Sequence, residues 1–441
     1  MASISSFPVF SKTHLHLAPE TGLCLIKGKN KCIVVFDLIV IGGGAAGFYG
    51  ALQAAEIQPG LKILILEKST RVLSKVRVSG GGRCNVTHSC FDPVRLSQHY
   101  PRGEKVLRRI FKKYDTGQTV EWFQSRHVVI KTEADGRMFP VTDDSQTIID
   151  CFLNEARRRN VQIQMGAEVH GIDLKDTGLE VSTTSGLKYS ARRVLVATGG
   201  SPKREAYSFI EKLGHKIRTP IPSLFTFNDS KKIFVDLMGV SVANAEVRIA
   251  RTSYRQVGAV LITHWGLSGP AVIRLSAWAA EHLHAVNYQF LALVSWVGSA
   301  EEETMRSFLL SQKTARARQK IHGHPLFNLP QRLWVKLCDL SEIPEGKIWS
   351  EIGNKNLNRL LEHLIKCPFQ IKGKTTFKEE FVTCGGVDFS EIDPETLESK
   401  FAKGVYFAGE VLNEDGETGG FNFQAAWSTA SVAARAMFLQ K

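Results

Sequence analysis

Residues 33–67, IVVFDLIVIGGGAAGFYGALQAAEIQPGLKILILE, decide the fold. The apolar, β-branched run 33–41 predicts a buried strand. The Ala-rich stretch 45–57 predicts a helix and 62–67 a second buried strand, so the three make a βαβ unit. Between strand and helix, GGGAAG at 42–47 fits G-x-G-x-x-G through Gly42, Gly44 and Gly47. A lone match is weak, but this one leaves a strand, opens a helix and precedes an acid, Glu67, at the end of the next strand. Gly42 permits the tight turn, Gly44 lets the backbone approach a pyrophosphate, and Gly47 lets helix and strand pack closely. Ala45 and Ala46 begin the helix, whose free N–H groups and positive dipole end suit phosphate. Glu67 is placed to accept hydrogen bonds from ribose hydroxyls and to repel a 2′-phosphate, which favours FAD or NAD over NADP.

Two later segments indicate which dinucleotide is held. VLVATGG at 194–200 reads as a strand ending in a small-residue turn at Thr198 and Gly199. VYFAGEVLNEDGETGG at 405–420 reads as a strand, then Gly409 and Glu410, then a glycine turn at Gly419 and Gly420. Phe421 and Asn422 lead from it into a closing helix over 423–439. FAD enzymes with two dinucleotide-binding motifs carry such pieces in this order. Glu410 is expected at the ribityl and pyrophosphate region. The closing helix is expected to point its N-terminus at the flavin pyrimidine ring, where its dipole favours the negative charge that reduction places at N1 and O2. The glycine-rich loop SGGGRCN at 79–85 offers further backbone N–H groups. From it Ser79, Gly80, Gly81, Cys84 and Asn85 join the expected cofactor site, with Arg83 as a cation for phosphate. Lys68 and Val169 complete the set.

The chain has 441 residues, more than one core usually serves. After Ser201 the texture changes. Residues 206–384 mix alternating strands with polar helices and are punctuated by Pro220, Pro222, Pro325, Pro330, Pro344 and Pro368. Buried-strand texture returns at 404–407. The expected class is α/β, a Rossmann-like FAD-binding domain built from segments 37–205 and 385–441 and interrupted at 206–384. In the first segment a helix is expected over 104–126, an amphipathic helix over 146–159 and a small antiparallel meander over 169–189. No run of about 18 apolar residues occurs, so no membrane span is expected.

Eight cysteines are scattered without a CxxC pair, which argues against a disulfide framework, a zinc ribbon and a CxxC redox pair. Cys84 and Cys90 are read as packing residues rather than a redox pair. The irregularly spaced histidines suggest no metal site. The formal net charge of +13 favours anionic ligands or acidic partners. No helix gathers this charge with interleaved aromatics, so nucleic acid is disfavoured and the surplus is read as a solvated basic surface around a phosphate site. Residues 1–36 are Ser-rich and lack Arg, with Lys12, Lys27, Lys29 and Lys31 set against Glu20 alone. They read as an organellar transit peptide, and the missing Arg favours a chloroplast over a mitochondrion.

Over roughly residues 37–435 the chain resembles the BaiN/YhiN-type family of NAD(P)/FAD-dependent oxidoreductases. The resemblance is carried by SGGGRCN at 79–85, GRMFP at 136–140, THWGLSGP at 263–270, GEVL at 409–412 and GGFN at 419–422. It implies a flavin domain interrupted by a β-barrel-like domain and a small helical domain. Asn413 stands where the family usually has Asp, and His88 where it often has Asn. Two catalytic candidates are singled out: His264 as a proton donor beside the flavin and Arg137 as an anchor for an acidic substrate. The expected activity moves electrons between NADH, NADPH or an organic donor and a small-molecule acceptor through non-covalently bound FAD. Only one complete G-x-G-x-x-G is visible, which leaves open an amine-oxidase-like enzyme that uses oxygen. An RNA-binding flavoprotein of tRNA modification is the alternative of another class.

Overall fold

A computed structural model describes residues 34–375 and 382–439. The expected transit peptide lies outside the described residues, apart from its last three positions. Strand β1 (Val35–Ile41), helix α1 (Ala45–Ile57) and strand β2 (Ile63–Glu67) form the βαβ unit. β1 pairs in parallel with β2 on one side and with strand Lys188–Val196 on the other. β2 pairs in turn with Gln162–Met165. The strand Lys188–Val196 is long enough to serve two neighbours. Its end pairs in parallel with Val405–Phe407, and its beginning pairs antiparallel with Gly178–Thr183, which turns back into Val169–Lys175. Both chain segments therefore feed one seven-stranded sheet.

Residues Ala46 to Ala55 of α1 are all buried, because α1 lies between the sheet and the closing helix Phe421–Phe438. Small residues permit this approach. A Cβ on Gly50 would stand 2.5 Å from Leu195 Cδ2 and 3.6 Å from Ala430 Cβ. The helix expected over 104–126 is two helices, Glu104–Phe111 and Thr116–Gln124. Asp115 breaks it by capping the second. Its carboxylate accepts from Gln118 N (3.1 Å), while Gln118 Oε1 accepts from Asp115 N (3.0 Å), a reciprocal capping box.

The chain leaves and re-enters the flavin domain through two antiparallel strands, Ile217–Ser223 and Val382–Val387. Between them a closed barrel runs in the order Thr226–Asp229, Gly266–Ser268, Arg255–Ile262, Ser241–Ile249, Gln289–Ser295 and Cys367–Thr375. Helices Glu302–Ala315, Gln331–Leu340 and Asn354–Ile365 are inserted between its last two strands and share its core: Leu309, Trp334 and Leu361 pack in one cluster with Val294 and Phe369. The sheet of the flavin domain has a separate core. A buried ion pair ties the parts together. Arg102 of the first segment pairs with Asp415 of the second and donates to Ala277 O (2.6 Å) of the insertion, while Ser223 donates to Asp415 (2.6 Å). No helix among the described residues is long and apolar enough to cross a membrane.

Candidate flavin site

A cavity of about 560 Å³ opens along the C-terminal ends of β1, β2, Lys188–Val196 and Val405–Phe407, the usual ligand crevice of an open α/β sheet. Two helix N-termini lie on it. Gly44 and Gly420 are their N-cap residues, so no side chain caps either helix, and their first-turn N–H groups are available to a ligand. A Cβ on Gly44 would meet no atom within 4 Å, whereas one on Gly47 would stand 1.9 Å from Gly42 O. Gly44 thus keeps space open and Gly47 allows close packing.

Glu67 lines the cavity with its carboxylate held by main-chain donors, Gly43 N (2.7 Å) and Ser69 N (2.9 Å). Glu410 also lines it and accepts from Thr383 N (2.8 Å) and Lys75 Nζ (2.7 Å). Ser79, Gly80 and Gly81 break the helix Ser74–Gly82 and reach the cavity, as do Gly42, Ala45, Ala46, Asn85, Thr198, Gly199, Gly409 and Gly419. With its amide oxygen turned to Gly420 N (2.9 Å), Asn85 donates to Thr87 O and Met138 O. Asn422 lines the cavity too, but its amide accepts from Gly416 N (2.8 Å) and donates to Gly416 O (3.0 Å). It pins the loop that leads into the closing helix.

Seven expected residues do not line this cavity. Gly47 sits behind the turn, Lys68 and His264 are exposed, and Val169 begins an antiparallel strand. Arg83 turns to Glu133 (2.6 Å) and lies 3.9 Å from the Phe139 ring centroid. Phe421 is buried, with its carbonyl accepting from Tyr100 Oη (2.6 Å). Cys84 is fully buried and burial pushes its thiol up to about 12; burial also raises Cys90, so both stay protonated near neutrality. His264 occupies the turn joining barrel strands Arg255–Ile262 and Gly266–Ser268, edge-on to Trp265. Of the two catalytic candidates only Arg137 reaches the cavity, while ion-paired to Asp135 (2.7 Å) and Glu133 (3.1 Å).

Other lining residues escaped the sequence reading. Arg71, Leu73, Ser74 and Lys75 come from a loop folded back by a Leu73 N to Gly43 O hydrogen bond of 2.8 Å. Leu224, Thr226 and Ile273 come from the insertion, and Glu417, Thr418 and Phe423 from the end of the chain. The acid in GETGG was the available signal for Glu417. The insertion residues carried none, since only the barrel's docking brings them here.

The residues present fit FAD. A crevice is lined by two uncapped helix ends, with a fixed carboxylate beside one and space reserved over Gly44. The fold and this site define an FAD-dependent oxidoreductase. The HI0933-like protein Rossmann domain model matches residues 36–436, and the chain belongs to that family. It is 29% identical over 413 residues to the 3-dehydro-bile acid delta(4,6)-reductase of Clostridium scindens, covering 90% of this chain and 98% of that protein. It is 27% identical over 416 residues to the ribosomal RNA dihydrouridine synthase of Escherichia coli, covering 92% and 99%. A solved 3-ketosteroid delta1-dehydrogenase of Sterolibacterium denitrificans aligns at 12% identity and TM-score 0.49, covering 92% of this chain and 100% of that one.

Proposed function

We propose that the protein reduces a carbon–carbon double bond conjugated to a carbonyl, with NADH or NADPH as the electron source. One observation carries this reading: two relatives that each match at least 90% of the chain have names with unlike substrates but a common chemistry. A 3-dehydro delta(4,6) bile acid and a uracil ring both present a C=C conjugated to C=O. Bound FAD would supply hydride transfer to such a bond. The protein's part is to hold and polarise. The N-terminus of α1 and Glu67 would take the ADP half of the cofactor. The N-terminus of the closing helix would stabilise negative charge at the pyrimidine end. Leu224, Ile273 and Val382 give the remaining wall apolar surface, and Arg137 offers a guanidinium to a carbonyl oxygen.

The test is anaerobic. The oxidised, yellow protein is expected to bleach with NADH or NADPH and to recover colour on addition of 2-cyclohexen-1-one. Bleaching by amines, with recovery only in oxygen, would replace this reading with the amine-oxidase-like one. A second reading makes RNA the substrate. It is favoured by the names of the Escherichia coli and Haemophilus influenzae relatives, both ribosomal RNA dihydrouridine synthases, and the net charge of +13 permits it. Binding of a ribosomal RNA fragment should then weaken steeply with salt, and no gel shift at low salt would count against it. The further proposal that residues 1–36 direct the protein to chloroplasts predicts that a fluorescent fusion of this segment accumulates there. A fusion left in the cytosol overturns that address.

A further inference from the structure

We propose that His99 and Glu417 form a proton relay from solvent to the substrate side of the cavity, with Glu417 as the member that meets the substrate; this rests on the reading of the site as a double-bond reductase. Glu417 Oε2 lies 3.1 Å from His99 Nδ1, and its Oε1 accepts from Trp278 Nε1 at 2.5 Å. The main chain joins them as well, Glu417 N donating to His99 O at 2.9 Å. The His99 ring is stacked on Phe421 with centroids 4.2 Å apart and planes at 14°. The two ends of the pair have different surroundings. The His99 side chain is 36% exposed, while that of Glu417 is 10% exposed and lines the cavity. One member therefore exchanges protons with water and the other borders the ligand space.

The other lining acids are committed elsewhere, Glu67 to main-chain donors and Glu410 to Lys75 and Thr383. Arg137 is committed to its ion pairs with Asp135 and Glu133. Among the described residues, His88 and Arg274 are the charged or titratable side chains that interact with the pair from outside it. Burial and the neighbouring His99 lower the pKa of His88, which keeps it neutral beside Asp135 O (3.2 Å). Burial opposes charge on Glu417, but the hydrogen bonds from His99 and Trp278 outweigh it, with Arg274 adding to them, and hold its carboxyl below the ordinary range. The resting pair is thus a carboxylate within hydrogen-bond distance of an imidazole that water can reach. In the reduction the π bond breaks and two C–H bonds form. Reduced FAD, when bound, would supply the electron pair and one hydrogen, having received them from NADH or NADPH. The α-carbon takes its proton from Glu417, which receives it from His99, and His99 is reprotonated by water.

The test uses the FAD-loaded enzyme and the variants Glu417→Gln and His99→Gln, each checked for FAD occupancy. The reduced enzymes are reoxidised anaerobically by 2-cyclohexen-1-one, which needs a proton at carbon, and by ferricyanide, which does not. The ratio of the two rates is expected to fall about 100-fold or more in both variants, the usual cost of losing a general acid. An unchanged ratio overturns the relay. A wild type that reduces no enone overturns the reading of the site, and the relay is then judged by a second measurement. The pH dependence of the wild-type flavin midpoint potential should differ from that of both variants, because each variant breaks the hydrogen-bonded pair that passes protons to the cavity. The same pH dependence in all three proteins overturns the relay.

Discussion

Gly44→Val is expected to give a folded protein that has lost its flavin. The side chain would leave the backbone where no protein atom lies within 4 Å, so it should disturb no packing. That empty space is the cavity beside the N-terminus of α1, where a pyrophosphate must come against the main chain. A loss of at least about 100-fold in FAD affinity is expected, which corresponds to about 2.7 kcal/mol. Gly47→Val, three positions on, should fail differently. Its Cβ would stand 1.9 Å from Gly42 O, so the βαβ unit itself must shift, and low soluble yield is the expected result. The ratio of flavin to protein absorbance and the melting curve separate the outcomes. Full FAD occupancy in Gly44→Val would remove the pyrophosphate from this turn.

This contrast shows which parts of the site are legible in the sequence. The flavin half is made of local patterns: a buried strand, a glycine turn and an acid at the next strand's end lie within 35 residues of one another. The insertion is non-local. Barrel strands Thr226–Asp229 and Gly266–Ser268 have four and three residues, too short to carry an alternation signal. Their pairing, Phe227 opposite Leu267, exists only in the closed barrel. The same pairing explains His264. Its Gly- and Pro-rich neighbourhood resembles an active-site loop, but Gly266 is glycine because a Cβ there would stand 2.3 Å from Phe227 O, and Gly269 because one would stand 2.6 Å from Ala259 O. Those glycines close a barrel. Glu417 shows the opposite limit. Its place in a glycine turn was visible, but its partner His99 is 318 residues away in sequence, and no spacing rule reaches that far. Asn422, expected at the flavin, lines the cavity and also pins the loop at Gly416, a second role that only the folded turn reveals.

The same loop carries a buried acid with a measurable consequence. Glu414 is fully buried, its Oε2 has no hydrogen-bond partner among the described residues, and burial, with help from Glu410 and Asp415, pushes its pKa up to about 8. At neutral pH the folded protein therefore holds this side chain as the neutral acid. The unfolded chain releases the same proton near pH ~4.3. The folded state binds the proton more tightly, so this group's contribution to stability is complete below about pH 4.3 and is lost progressively as pH rises toward 8. The limiting loss is on the order of a few kcal/mol, because each tenfold difference in proton affinity between the folded and unfolded states is worth about 1.4 kcal/mol. Glu414→Gln keeps the shape of the neutral acid and has no proton to lose. The variant should melt close to wild type at about pH 5 and several degrees above it at about pH 8.5. The comparison is best made with FAD in excess, so that loss of cofactor does not enter it. A difference in melting temperature that stays constant across that range would mean that Glu414 is ionised in the folded protein. A cation would then have to reach it through the loop that Arg102 and Asp415 clamp against the insertion.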